Sequence, residues 1–312
     1  MNVLAAWSAL LGYLGFASPW WRRVLARVGK RAGDWMVFLL LTPYLLATGL
    51  RLPPLDLLRM VVYLALPTAC LRLRPRDARP LDVWHVLAIL LIWVPIELSL
   101  FALLADLILP GVDVRGALAG VYLLPGTRAT LLPGVELPID KLTAILLALT
   151  LFCVRHPLSG IGFSFRLRWR DLRAALLGLA AFAAVGLPLG LWIGFLRYAP
   201  GLPRWPEVAA GIVGGYLLVA LPEELLFRGI IQNLAARRAK SRWVALVAAS
   251  AVFGLAHLNN ATRGYPVPNW GYVAMATLAG LAYGWAWQRT NKVTASAVTH
   301  MLVNLVWGIL LS

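Results

Sequence analysis

The chain has 312 residues, of which 61% are hydrophobic and only 13% charged, with 14 Trp, a mean hydropathy of +0.77 and a formal net charge of +16. Soluble domains hold roughly half their residues as apolar and about a quarter as charged, so an ordinary water-soluble globule is excluded. The basic excess would suit a nucleic-acid partner only as a concentrated groove, and its spread along the chain points to no nucleic acid.

Apolar runs approach or exceed the length needed to cross a bilayer as helix, about 20 residues. They recur near 3–18, 34–50, 57–71, 83–109, 139–154, 173–196, 207–236, 243–258, 270–288 and 293–311. The first, third and eighth are short, which sets the count at eight to ten. The expected fold class is an all-α polytopic membrane protein, a bundle of about 8–10 transmembrane helices around an intramembrane polar active-site cavity. The first run lacks the basic n-region and small-x-small cleavage site of a signal peptide and reads as a span or an interfacial helix.

Placing alternate loops on one side gathers 20 of the 29 Lys and Arg there, in the groups Arg22 to Arg31, Arg72 to Arg79, Arg155 to Arg173, Arg237 to Arg242, and Arg289 with Lys292. This positive-inside bias makes that side cytoplasmic and turns both termini outward, as in a multi-pass protein of the bacterial inner membrane. The charge is therefore a topology signal and a contact with the lipid bilayer. Cys70 and Cys153 fall at cytoplasmic helix ends with no spacing motif and read as reduced packing residues. Residues 110–138 are rich in Gly and Pro on the outer side. Residues 162–170 alternate apolar and basic side chains, as a short strand or a surface-lying segment would. That segment separates N-terminal helices of unassigned role, 1–155, from a unit at 173–312 that carries every polar constellation.

The first constellation is Leu221-Pro222-Glu223-Glu224-Leu225-Leu226-Phe227-Arg228-Gly229. Each charge at the centre of a membrane helix costs roughly 2.5–3.5 kcal/mol on insertion scales. Glu224 and Arg228, four apart, share a helix face and can pair, whereas Glu223 lies about 100° away without a local partner. Further on come His257, in Phe253-x-x-x-His257, and then His300 and Asn304 on one face of the last span. Counted from the cytoplasmic flanks, Glu223 and His257 lie about 21 and 22 Å deep, and His300 and Asn304 about 12 and 18 Å. The groups share a band near mid-bilayer. A desolvated carboxylate is a usable base near neutral pH, and an amide is a donor for a developing oxyanion. No Ser-His, Ser-Lys or Cys-His nucleophile pairing accompanies them, so activated water is the natural nucleophile.

In that order on successive helices, Glu223-Glu224-x-x-x-Arg228, Phe253-x-x-x-His257 and His300-x-x-x-Asn304 resemble the CAAX prenyl protease and bacteriocin-processing family, the glutamic-type intramembrane endopeptidases also called ABI or CPBP proteins. The resemblance covers roughly residues 173–312. It implies Glu223 as the water-activating base, Glu224 and Arg228 as its support, His257 and His300 as the site histidines and Asn304 as the oxyanion donor. It implies as substrate a membrane-embedded or lipidated protein or peptide, and no cofactor is expected. Singly, each motif also has a structural meaning: a buried ion pair, a bundle histidine, or interhelical hydrogen bonding. Other functions for the same cluster are a non-catalytic binding, immunity or scaffold protein, and a proton-coupled transporter. A zinc site of Glu223, His257 and His300 is disfavoured by the adjacent Arg228 cation.

Overall fold

The computed structural model describes residues 2–201 and 203–311. Helix dominates, and the chain divides into two compact units, Met1–Ser159 and Gly160–Ser312.

In the first unit, α1 (Asn2–Gly15) is followed by α2 (Pro19–Ala32), a 3₁₀ stretch (Gly33–Leu41) and α3 (Thr42–Ala47), with a bend of 102° after α1. Next come α4 (Pro54–Leu73), α5 (Val83–Trp93), α6 (Leu98–Ile108) and the single turn α7 (Val114–Ala117). Proline opens α2 and α4, where its missing N–H costs nothing. Asp82 caps α5 by accepting from the His85 backbone N–H at 3.0 Å. Pro95 lies in the break between α5 and α6, so the apolar run 83–109 folds as two short helices. The Gly- and Pro-rich segment 110–138 contains a hairpin, β1 (Arg128–Leu132) and β2 (Val135–Pro138), whose Leu132 and Val135 pair across Pro133-Gly134. Gly134 has φ +78°, the left-handed value that a Pro-Gly turn of type II requires. The unit ends with α8 (Ile139–Leu149), which widens into a π-helical turn at Thr150–Arg155.

The second unit holds α9 (Trp169–Trp192), α10 (Trp205–Ala239), α11 (Arg242–Leu255), α12 (Trp270–Thr290) and α13 (Val293–Leu310). Asn269 caps α12 through Tyr272 N–H at 2.8 Å, and Lys240 and Asn291, both left-handed, end α10 and α12. α12 is the central helix, packed by α9, α11 and α13. Residues 162–170 form no strand. Gly162, at φ +76°, accepts from Val293 N–H at 3.2 Å, and a Cβ there would lie 2.0 Å from the Asn291 carbonyl oxygen. The Gly162 carbonyl is therefore committed to the α12–α13 turn, with Ile161 and Phe163 buried and Arg166, Arg168 and Arg170 exposed.

The molecule is an all-α polytopic membrane protein. Among the described residues, α4, α9, α10 and α13 are long and apolar enough to span singly, and the bent α1–α3 stretch makes a fifth if taken as one span. The other apolar runs fold as shorter or interrupted helices, or, for α12, carry enough Gly, Tyr and Trp to lower the mean hydropathy.

Candidate active site

The site begins with an irregularity in α10. Pro222 has no N–H to give to the preceding turn, and the helix is π-helical on either side of the short α segment Leu221–Glu224, over Gly215–Ala220 and Leu225–Gln232. Such widened turns recur at functional sites because they re-aim side chains that a regular helix would stack.

Glu224 and Arg228 meet as their spacing predicts, with Nη1 3.0 Å from Oε1 and both side chains fully buried. The pair is tied into neighbouring helices. Arg228 Nη2 donates to the Gly280 carbonyl of α12 at 3.0 Å, and its guanidinium lies 4.5 Å from the Phe253 ring centroid and 5.4 Å from that of Tyr283. One turn on, Gln232 Nε2 reaches the Gly284 carbonyl at 3.4 Å. Glycine at 280 and 284 permits this approach: a Cβ on Gly284 would sit 2.5 Å from Gln232 Oε1, and one on Gly280 3.2 Å from Arg228 Nη2.

α13 completes the support of Glu224. His300 Nδ1 lies 3.0 Å from Glu224 Oε1, and Ser296 Oγ donates to Oε2 at 2.5 Å. A carboxylate only accepts, so Nδ1 carries the proton, and in neutral His300 the lone pair is on Nε2. The imidazole stacks on Tyr283, centroids 4.5 Å apart at 12°, and receives the edge of Phe253 at 5.6 Å. Its orientation is thus fixed on three sides.

Glu223 is the contrasting neighbour. Its side chain is 35% exposed, its Oε2 is buried without a hydrogen-bond partner, and the nearest basic atom is His300 Nε2 at 3.9 Å. His257, just past the end of α11, donates Nδ1–H to the Phe253 carbonyl at 2.9 Å, which again leaves Nε2 as the open nitrogen. It packs on Phe253 and Tyr272 at 4.8 and 4.9 Å and interacts electrostatically with Glu223 and His300.

Five of the six expected groups, Glu223, Glu224, Arg228, His257 and His300, therefore gather in one cluster. Asn304 lies one turn beyond His300, exposed and outside the hydrogen-bonded group. Among the described residues no three His, Cys, Asp or Glu side chains form a metal-holding group. Sequence reasoning missed Ser296, Tyr283, Gln232 and the two glycine carbonyls. Ser296 had a signal, because it precedes His300 by the same four residues that separate His300 from Asn304. The others depend on which helix α12 faces.

Residues 205–306 match the family described as type II CAAX prenyl endopeptidase Rce1-like. That stretch is similar to the CAAX protease family. The matched segment runs from α10 into α13 and contains every group of the cluster. No curated protein and no solved structure matches the chain.

Proposed function

We propose that the protein is a glutamic-type intramembrane endopeptidase in which Glu223 activates water against a peptide bond of a membrane-embedded or lipidated substrate. One observation carries the reading: of two adjacent carboxylates, the fully buried Glu224 is held by Arg228, His300 and Ser296, while the partly exposed Glu223 keeps an unpartnered oxygen beside His300 Nε2. A water bound to both acceptors is oriented for attack. Glu223 takes its proton as the hydroxyl bonds to the scissile carbonyl carbon, and that proton passes to the departing amide nitrogen as the C–N bond breaks. Glu224, accepting from His300 Nδ1–H, holds the imidazole with its Nε2 lone pair turned to the water. Asn304, on the same face of α13 as His300, supplies its amide to the oxyanion once substrate lies in the site.

Catalysis belongs to 173–312 in this account, and 1–155 selects or presents substrate. The protein sits in the bacterial inner membrane with both termini outward, supported by the basic-residue bias. The scaffold and transporter readings place no special demand on Glu223. A metal-bound variant has one feature in its favour, since His257 and His300 both present Nε2; the described side chains do not fit a metal site as they stand, and no step here runs through one. The test is cleavage of membrane-anchored reporter peptides by the purified full chain in lipid discs. Wild type hydrolyses at least one and Glu223→Gln none. A library left intact by folded wild type contradicts the enzyme reading.

A further inference from the structure

Away from the polar cluster, the second unit carries an open groove of about 630 Å³ formed by α9, α11 and α12. Its lining is almost wholly apolar: Leu177, Ala181 and Val185 from α9, Trp243 and Val247 from α11, and Trp285 from α12. From Leu177 to Gly186 it follows α9 for about 13 Å, at 1.5 Å per residue.

Each of the three helices brings an arginine to the same end of this groove. Arg173 lies one turn before Leu177, Arg242 adjoins Trp243, and Arg289 lies one turn after Trp285, with its guanidinium 5.3 Å from that ring's centroid. All three are exposed, and none makes an ion pair among the described residues. Hydrogen bonds fix the coincidence of these helix ends. Gln288 Nε2 donates to the Arg242 carbonyl at 2.7 Å, and Lys292 bridges Asp171, at the start of α9, to the Arg166 carbonyl. The two groove tryptophans stand at that end too, where an apolar ring with a polar edge suits the membrane–water boundary.

Three uncompensated cations at the mouth of a hydrocarbon-lined slot fit one ligand chemistry, an anionic head joined to an acyl chain. We propose that the groove is a binding site for an anionic glycerophospholipid, with one chain lying along α9 and the phosphate among Arg173, Arg242 and Arg289. The site stands apart from the Glu223 cluster and does not depend on its catalytic role.

The test is lipid titration of the purified full chain in neutral detergent, read by native mass spectrometry, with phosphatidylglycerol and phosphatidylcholine of identical chains. Phosphatidylglycerol binds at least tenfold tighter. The triple variant Arg173→Gln, Arg242→Gln, Arg289→Gln reduces it to the phosphatidylcholine level, and Ala181→Trp, which fills the slot, weakens both lipids about tenfold. Glycerol phosphate, a head without a chain, does not compete. Arg289→Gln alone, losing at least threefold, serves where the triple variant is unstable. Equal binding of the two lipids, a preference that survives loss of the arginines, or competition by glycerol phosphate overturns the proposal.

Discussion

The two units handle charge in opposite ways. In Met1–Ser159 the ion pairs sit at helix ends with partly exposed side chains: Arg59 with Asp56, Arg74 with Asp82, Arg115 with Asp106, Arg155 with Asp34. Among its described residues only His85 is a buried titratable side chain of the acidic, basic or histidine type. In Gly160–Ser312, Asp171, Glu224, Arg228 and His300 are all buried, together with Gln232, Asn233, Ser250 and Ser296. Pairs at the boundary need little compensation. Charges in the interior need partners, and of the two neighbouring carboxylates Glu224 is held by Arg228, His300 and Ser296 while Glu223 keeps an unanswered oxygen. Asp171 Oδ1 and Gln232 Oε1, elsewhere in the unit, also lack a hydrogen-bond partner.

The contrast breaks most readily at Arg228. Its replacement by Ala strands Glu224 as a buried charge, and we expect a loss of about 3–5 kcal/mol in thermal or denaturant unfolding in detergent. Retained stability would mean that Glu224 draws its support from His300 and Ser296 alone. Asn304→Ala comes next, with turnover lower by about 100- to 1,000-fold and KM nearly unchanged, because an oxyanion donor acts in the transition state. A change confined to KM would move Asn304 from the chemistry to substrate binding. Ser296→Ala removes one hydrogen bond to Glu224 and costs roughly 1–3 kcal/mol, a deficit that Thr partly restores. At the small end, Arg59→Ala in the first unit shifts stability by under about 1 kcal/mol, as exposed pairs do. Chelator treatment of wild type leaves cleavage unchanged; activity that vanishes and returns with zinc would make Glu223, His257 and His300 ligands and Glu224 the remaining base.

What could be seen beforehand followed from spacing within one helix. Glu224 and Arg228 at four residues apart required only helical periodicity, and the apolar runs were enough for the all-α membrane class. Pro95, which splits 83–109, and Pro133-Gly134, which turns the hairpin, were visible signals whose consequences the hydropathy reading passed over. The link from His300 to Glu224 was not legible, because it depends on how α13 is rotated against α10. Nor was the use of Gly280 and Gly284 carbonyls, which requires knowing that α12 stands at the centre. Of the two readings of 162–170, a short strand or a surface-lying segment, the structure has no strand and exposes Arg166, Arg168 and Arg170, and the Gly162 carbonyl is taken by the α12–α13 turn.

The central claim is a division of labour between two neighbouring carboxylates, and one paired measurement addresses it: cleavage rate and unfolding midpoint of Glu223→Gln and Glu224→Gln, side by side in the same lipid discs. Glu223→Gln should lose at least about 10³-fold in cleavage, within the range that removing a general base produces, while its unfolding midpoint holds or rises. Glu224→Gln should lower the midpoint, since Arg228 and His300 lose their shared acceptor charge. Cleavage by Glu223→Gln within threefold of wild type, or a midpoint that falls for Glu223→Gln and holds for Glu224→Gln, would contradict the account.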